Sequence, residues 1–148
     1  MTPPRSPRLA ARALILRDDR ILIVNAYPGD RSDLWCAPGG GVTAGTSLPD
    51  NLAREVHEET GLRVTVGDPA LVNEFHDPET GFHQVDIYFR CRPEGAMPAH
   101  WVDPEGIVTQ RRWVTRAELA GLRHKPDSLA AAAWGAGLLY DPLEVIVR

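Results

Sequence analysis

The stretch that decides the fold is GGVTAGTSLPDNLAREVHEETGL, which runs from Gly40 to Leu62. Glycines are concentrated at its beginning and glutamates at its end. A serine at Ser47 with a proline two residues later is typical of a helix start, and Gly61 suits the left-handed position just past a helix end. The stretch therefore predicts a glycine-rich turn that leads into a helix from Ser47 to about Thr60.

The predicted helix carries three carboxylates, Glu55, Glu58 and Glu59, within one arc of roughly 100°. Carboxylates three or four residues apart repel one another, so this arc needs either solvent screening or a bound cation. Three oxygen donors on one face suit a hard ion such as Mg²⁺ or Mn²⁺. A solvated acidic helix face is the alternative, and the helix alone favours it. The preceding glycines shift the interpretation towards a metal-bound phosphate, because they let a ligand approach the backbone closely.

The rest of the chain alternates between apolar runs and turn residues, which predicts a mixed sheet with helices on its faces, an α/β (α+β) fold. Strands are predicted at 9–17 and 20–26 (a hairpin), 62–66, 70–75, 82–91 and 107–114, helices at 116–122 and 129–139, and a last short strand or arm at 143–147. The run from Pro38 to Gly41 is predicted to lack regular structure.

Composition limits the classes of protein that remain. The 148 residues, 43% hydrophobic and 24% charged, fit one globular domain at 9–148 behind a flexible lead at 1–8. A net charge of −4 argues against binding long nucleic acid through a basic surface, and no apolar run is long enough for a membrane span. Cys36 and Cys91 form no disulfide framework, so we interpret them as reduced thiols in a cytoplasmic protein.

The stretch from Gly40 to Leu62 resembles the signature box of the Nudix hydrolases, the family of MutT-like enzymes. In words, that box is a glycine, five residues, a glutamate, seven residues, Arg-Glu, an aliphatic residue, any residue, Glu-Glu, any residue, a glycine and an aliphatic residue. After Gly40, the matching positions are Arg54, Glu55, Val56, Glu58, Glu59, Gly61 and Leu62. One position departs from the box, because Thr46 stands where the family usually has glutamate.

The resemblance implies a Nudix-type α/β/α sandwich and hydrolysis of a nucleoside diphosphate linked to another moiety. Nucleoside triphosphates are favoured; ADP-ribose, other nucleotide sugars and dinucleoside polyphosphates stay open. Mg²⁺ is the implied cofactor, with Mn²⁺ as a substitute. The implied partner is a small nucleotide, no membrane association is expected, and the protein is expected to be a monomer or a homodimer. Thr46 supports the alternative of a non-catalytic Nudix-like nucleotide-binding or regulatory domain. Isoprenoid diphosphate isomerisation is a further alternative, but the extra cysteine and acid positions that it needs are not found.

The resemblance also implies roles for individual residues. Glu55, Glu58 and Glu59 are the implied metal ligands, with the carbonyl of Gly39 as a further candidate. Arg54 is expected to pair with one of the glutamates and fix its rotamer. Glu58 is the favoured general base, and two loop acids, Asp103 and Glu105, are the other candidates for that role.

Several other polar and aromatic residues receive a structural interpretation. His57 is expected at the surface, and His76 and His83 lack further ligands at metal-binding spacing. The aromatic residues interpreted as packing groups, with base stacking as the alternative, are Trp35, Tyr27 and Phe75. The arginines interpreted as solvated strand ends, with phosphate contact as the alternative, are Arg90, Arg92, Arg111 and Arg112.

Overall fold

The computed structural model describes residues 5–148. Its strands are β1 Arg8–Arg17, β2 Arg20–Asn25, β3 Trp35–Cys36, β4 Gly39–Gly41, β5 Arg63–Asp77, β6 Phe82–Glu94, β7 Arg111–Thr115, β8 Leu139–Tyr140 and β9 Glu144–Val145, and its helices are α1 Leu48–Thr60, α2 Arg116–Ala120 and α3 Leu129–Trp134. Of the predicted lead, residues 1–4 lie outside the described residues, and Arg8 already belongs to β1. No helix within residues 5–148 combines the length and the apolar character needed to cross a bilayer.

Strand β1 lies in the middle of a mixed sheet. It pairs antiparallel with β2 and β4 and parallel with β6, and the main strand order is β3-β2-β1-β6-β5-β8. The predicted hairpin is confirmed: Asp18 and Asp19 both have positive φ, 51° and 59°, as the tight turns that match strand twist require. The parallel contact between β1 and β6 brings together residues that are far apart in sequence.

One face of the sheet packs against α1. Alternate residues of the central strands, including Ala13 and Ile15, meet the apolar side of the helix at Leu52 and Val56. Both helix residues are fully buried, and each contributes about 1.5–3 kcal/mol by leaving water. The predicted helix is confirmed at both ends, with Ser47 accepting from the Asp50 N–H and Gly61 at φ 76°. The carboxylate side of α1 is thereby held at a fixed angle over the sheet.

The opposite face packs against α2 and α3. Leu14 and Ile23 point to this side and contact Leu119 and Leu129 within a second buried cluster. A sheet covered on both faces by helices is the α/β/α sandwich that the resemblance implied, so the fold prediction is confirmed.

The prediction for the glycine run was wrong in one respect. Gly39–Gly41 is a short strand, paired with Ala10, Ala11 and Arg12 of β1. Glycine is disfavoured in strands on entropic grounds, but here the neighbouring backbone leaves no room for a side chain. A Cβ on Gly39 would lie 2.1 Å from the Ala11 carbonyl oxygen.

Strand and helix ends near the C-terminal half also differ from the predictions. The two strands expected at 62–66 and 70–75 are one strand, β5, because bulges around Pro69 absorb the break and pairing with β6 continues. The helix expected at 129–139 ends at Trp134, since Gly135 is extended, and β8 occupies 139–140 instead. Strand β7 starts only at Arg111, because side chains bond the backbone N–H groups of residues 107–110.

Candidate active site

A polar cleft of about 420 Å³ opens between β4, the carboxylate side of α1 and the loop before β7. Glu55 and Glu59 line it from the helix, and Glu105 lines it from the loop. The sequence separates Glu105 from the helix by more than 40 residues, so only the fold brings these three carboxylates to one space. We call this space the carboxylate cleft.

The glycines of β4 form one wall of the carboxylate cleft, and each accommodates a different neighbour. Gly39, with φ 149°, allows close contact with β1. A Cβ on Gly40 would lie 3.0 Å from a carboxylate oxygen of Glu55, and a Cβ on Gly41 would lie 2.5 Å from the guanidinium of Arg8. The triple glycine therefore makes room for one carboxylate and one arginine.

Glu59 is the most perturbed acid of the cleft. Its Oε2 accepts a hydrogen bond of 3.0 Å from the Gly39 N–H. Burial raises the pKa of Glu59 to about 8, and the nearby Arg12 and the Gly39 N–H offset only part of that rise. The positive charge around Glu59 does not offset the effect of burial, so a cation in the cleft would favour the ionised form of Glu59.

Glu55 lies beside it and is 9% exposed. Burial raises the pKa of Glu55, and the negative charges of Glu105 and Glu58 raise it further, while Arg54 at 3.4 Å opposes them. A carboxylate whose pKa is raised by burial and by neighbouring negative charges is a common feature of functional sites.

Glu58 is not among the residues that line the carboxylate cleft; its side chain is 31% exposed and pairs with Arg54, which does line the cleft. Arg54 Nη1 donates to both of its carboxylate oxygens, at 3.1 and 3.2 Å, so the predicted pairing of Arg54 with a glutamate is seen here. Arg54 Nη2 donates to Asn51 Oδ1 at 3.1 Å. Arg54 therefore holds the Glu58 carboxylate and is itself held by a neighbour on the same helix.

Asn51 is a site residue that the sequence analysis missed. It is fully buried, accepts from the Thr43 N–H and donates to the Gly41 carbonyl. These bonds join α1 to the glycine strand. An asparagine inside a predicted helix, three residues before an arginine and facing a glycine run, was the available signal.

The donor chemistry of the cleft fits a hard divalent cation. No group of three His, Cys, Asp or Glu side chains within residues 5–148 stands close enough together to form a complete metal site. Glu55 and Glu59 nevertheless face the same cleft with Glu105, all three offer oxygen, and the half-buried Glu59 lacks a full counter-charge. The Gly39 carbonyl, the backbone candidate, accepts from Arg12 Nη1 at 3.3 Å.

The two loop acids have different roles. Asp103 is 5% exposed and accepts from the N–H groups of Glu105, Ile107 and Val108. A carboxylate that accepts three backbone hydrogen bonds stabilises its loop, and Asp103 is not among the residues that line the carboxylate cleft. Glu105 keeps its place in the carboxylate cleft.

None of His57, His76, His83, Trp35 and Trp101 lines the carboxylate cleft. His57 packs edge-on against Trp101, whose Nε1 donates to the Glu58 carbonyl at 2.8 Å. Trp35 packs against the core beneath the guanidinium of Arg112. His76 and His83 have ring centres 6.3 Å apart and gain no third ligand among the described residues. These observations confirm the packing interpretation for Trp35.

The other predicted arginines bind the protein itself. Arg90 donates to the carbonyls of Ala132 and Gly137, Arg111 donates to the carbonyl of Thr60 at the end of α1, and Arg92 pairs with Glu94 at the surface. None of these arginines lines the carboxylate cleft. Three arginines do line it: Arg54, which the sequence analysis singled out, and Arg8 and Arg12 of β1, which it did not.

Both cysteines are free, as expected. Burial raises the pKa of Cys36 to about 11 and that of Cys91 to about 12. Neither thiol is therefore a thiolate nucleophile near neutral pH.

Comparison with known proteins agrees with this geometry. The family model for the NUDIX domain matches residues 6–134. A MutT-like protein of Streptomyces ambofaciens is 32% identical over 116 residues, which cover 72% of this chain and 70% of the relative. Diphosphoinositol polyphosphate phosphohydrolase 3-alpha of Homo sapiens is 29% identical over 99 residues, 66% of this chain but only 56% of the human protein.

The fold is shared with solved structures. A NUDIX hydrolase from Nitrosomonas europaea superposes with a TM-score of 0.73 at 20% identity, covering 86% of each chain. The matched residues include β4 and the whole of α1, the two elements that carry the glycines and the glutamates. The chain therefore belongs to the Nudix family of hydrolases, whose members act on diphosphate bonds.

Proposed function

We propose that this protein is a Mg²⁺-dependent pyrophosphohydrolase of nucleoside diphosphate derivatives, with nucleoside triphosphates as the favoured substrates. The observation that carries the proposal is the carboxylate cleft, in which the buried Glu55 and the half-buried Glu59 of α1 face the glycine strand without a full counter-charge. A diphosphate brings additional negative charge, so such a cleft needs a divalent cation to bind it.

The residues that would hold the metal are Glu55, Glu58 and Glu59, with the Gly39 carbonyl and Glu105 as further oxygen donors. When bound, Mg²⁺ supplies charge neutralisation for the phosphates and makes a coordinated water more acidic. Arg54 lines the cleft and fixes the Glu58 carboxylate through two hydrogen bonds. Glu58 is the favoured base, because its exposed carboxylate can take a proton from water and release it to solvent. Glu105 is the alternative base.

The non-catalytic alternative rests on Thr46. This residue lies on an exposed turn before α1, and its N–H donates to the Thr43 carbonyl. It is absent from the walls of the carboxylate cleft, whereas Glu55 and Glu59 are part of them. The position therefore supports the turn, and its change from glutamate leaves the acids of α1 in place. A cytoplasmic location and a monomeric or homodimeric state stay predictions from the sequence.

A panel of substrates tests the proposal. Release of phosphate or diphosphate would be measured from nucleoside triphosphates, ADP-ribose and dinucleoside polyphosphates, with Mg²⁺, with Mn²⁺ and with EDTA. We expect metal-dependent turnover that is fastest with a nucleoside triphosphate. Tight nucleotide binding without turnover of any compound in the panel would support the non-catalytic alternative instead.

A further inference from the structure

The segment between β6 and β7, residues 95–110, brings Glu105 to the carboxylate cleft. We call this segment the β6–β7 loop. It contains neither helix nor strand, and loops of this length without secondary structure are uncommon and are usually functional or disordered. Glu105 is an exposed residue, so the position of its carboxylate depends on how the backbone of the loop is held.

Trp101 binds the β6–β7 loop to the C-terminal end of α1. Its Nε1 donates to the Glu58 carbonyl at 2.8 Å. This carbonyl belongs to the last turn of the helix, where the final four carbonyl groups have no partner within the helix. A side chain of the loop therefore satisfies a backbone acceptor of the helix that carries the glutamates.

Gly61 makes room for the indole ring of Trp101. A Cβ on Gly61 would lie 2.7 Å from that ring, which is closer than side chains pack. The φ of Gly61 is 76°, a conformation that also favours glycine. The residue that ends α1 thus meets two requirements, and one of them is contact with the β6–β7 loop.

Arg111 adds a second contact at the same end of the helix. Its Nη1 donates to the Thr60 carbonyl at 2.6 Å, and its Nη2 donates to the Ala99 carbonyl at 3.2 Å. A cation is favourable there because the free carbonyl groups give the end of a helix a partial negative charge. The first half of the β6–β7 loop is therefore joined to α1 at two points.

Hydrogen bonds close the turn that carries Glu105. Asp103 accepts from the Glu105 N–H at 3.0 Å and from the Val108 N–H at 2.9 Å. Asn25 of β2 donates to the Ile107 carbonyl at 2.8 Å. One end of the turn is thereby held by β2, and the other end is held to α1 by the indole contact.

We propose that Trp101 is a positioning residue that keeps Glu105 against Glu55 and Glu59, so that the loop acid and the helix acids share one cation. This rests on the proposed function, because the cation is that of the carboxylate cleft. The hydrogen bonds of Asn25 and Asp103 maintain the shape of the turn, and the indole contact sets its distance from α1.

A purely structural cap of the helix is the alternative role for Trp101. The Gly61 N–H already donates to the His57 carbonyl, and Arg111 bonds the Thr60 carbonyl. The end of α1 keeps both contacts when the indole N–H is lost. Removing that donor should therefore change the position of the loop more than the stability of the helix.

Mn²⁺ affinity, followed by electron paramagnetic resonance on the full chain, tests the proposal without relying on turnover. Trp101→Phe keeps a ring beside Gly61 and removes the Nε1 donor. The control is Trp134→Phe, the same change at an indole that donates to Asp19 at 2.8 Å. We expect Mn²⁺ binding about 3- to 10-fold weaker in Trp101→Phe and unchanged in the control. Thermal unfolding should shift by similar amounts in both variants, because each loses one hydrogen bond of the same length.

A double-mutant cycle shows whether Trp101 acts through Glu105. Mn²⁺ affinity is also measured in Glu105→Gln and in the double variant Trp101→Phe/Glu105→Gln. We expect Glu105→Gln to weaken binding and the added Trp101→Phe to weaken it no further, because the indole then has no carboxylate to position. The same cycle on kcat, with the best substrate of the panel, should show the same lack of additivity.

Several results would overturn the proposal. One is Mn²⁺ affinity in Trp101→Phe equal to that of wild type. Another is a set of additive losses, which would mean that Trp101 acts on α1 itself. Mn²⁺ binding by Glu105→Gln like that of wild type would remove the acid to be positioned, and a wild type that binds no Mn²⁺ would remove the cation.

Failure of the proposed function gives a different pattern. A wild type that hydrolyses no compound of the panel, with non-additive losses of Mn²⁺ affinity, would remove the proposed catalysis and keep the positioning role of Trp101. Turnover by wild type together with additive losses would keep the catalysis and remove the positioning role.

Discussion

The acids of the carboxylate cleft meet two arginines of β1, Arg8 and Arg12, which we call the arginine junction, yet the opposite charges are held in different ways. The acids Glu55 and Glu59 come from one helix, where Glu55 is buried and Glu59 is half-buried, and desolvation raises the pKa of both. The basic residues Arg8 and Arg12 come from one strand and are anchored by the buried Gln84–Asp86 pair. The acidic side is therefore suited to a mobile cation, and the basic side is already fixed in position.

The largest effect on hydrolysis should come from replacing Glu58. Glu58→Gln removes the favoured base and one negative charge while keeping the size of the side chain. We therefore expect the rate of hydrolysis to fall at least about a hundredfold. Thermal unfolding should change little, because the side chain is partly exposed. The control is Glu79→Gln, at an exposed glutamate on the turn between β5 and β6. Turnover like wild type in Glu58→Gln would remove Glu58 from the mechanism.

Arg54 should have the next largest effect, because it acts on the acidic side through Glu58. Arg54→Ala leaves that carboxylate free to rotate, and outer partners of this kind are worth about 10- to 100-fold in activity or metal affinity. We expect kcat to fall more than KM rises, and Arg54→Lys to recover part of kcat. An unchanged kcat with a raised KM would instead make Arg54 a direct substrate contact.

The glycines of β4 offer a way to perturb the two sides separately. Gly40→Ala presses on the Glu55 carboxylate, and Gly41→Ala presses on the flexible end of Arg8. We expect several-fold weaker metal binding in the first variant and unchanged metal binding in the second. Gly45→Ala is the control for a substituted glycine, since a Cβ there meets no neighbour, although its φ of 82° adds strain. Equal effects of both variants on metal binding would show that the two sides are not separate.

The smallest effect is expected on the free energy of unfolding of the metal-free protein. Because burial raises the pKa of Glu59 to about 8, the folded protein keeps this proton while the unfolded chain releases it near the ordinary value of 4.5. Stability of the metal-free protein should therefore fall as pH rises from about 4.5 to about 8. Glu59→Gln does not titrate, so in EDTA its stability advantage over wild type should grow across that window. Urea unfolding at pH 5 and pH 8 measures it, and a constant difference would contradict the role of burial.

The helix and its acids could be predicted because their information is local. Capping at Ser47, termination at Gly61 and the spacing of the glutamates all lie within one stretch of sequence. The arginine junction is different, because Arg8 meets Gln84 only through the parallel register of β1 and β6. No local pattern gives that register. Asp103 shows the same limit, since its three backbone partners depend on the path of a loop.

The neighbours of β4 could not be predicted from the local sequence either. A run of glycines indicates that a backbone must approach something closely, and it does not say what. In the structure the neighbours are the backbone of β1, the Glu55 carboxylate and the Arg8 guanidinium. Two of these three belong to a strand that precedes the run by about 30 residues. The chemistry of the site was therefore predictable on its acidic side and hidden on its basic side.

Direct titration with a divalent metal tests the central claim that the glutamates of α1 form a cation site. Mn²⁺ binding would be followed by electron paramagnetic resonance at neutral pH, in wild type, Glu55→Gln, Glu59→Gln and the control Glu79→Gln. We expect saturable binding in wild type and in the control, displacement by Mg²⁺, and at least about tenfold weaker binding in the two cleft variants. Equal Mn²⁺ affinity in all four proteins would contradict the assignment of the carboxylate cleft as the metal site.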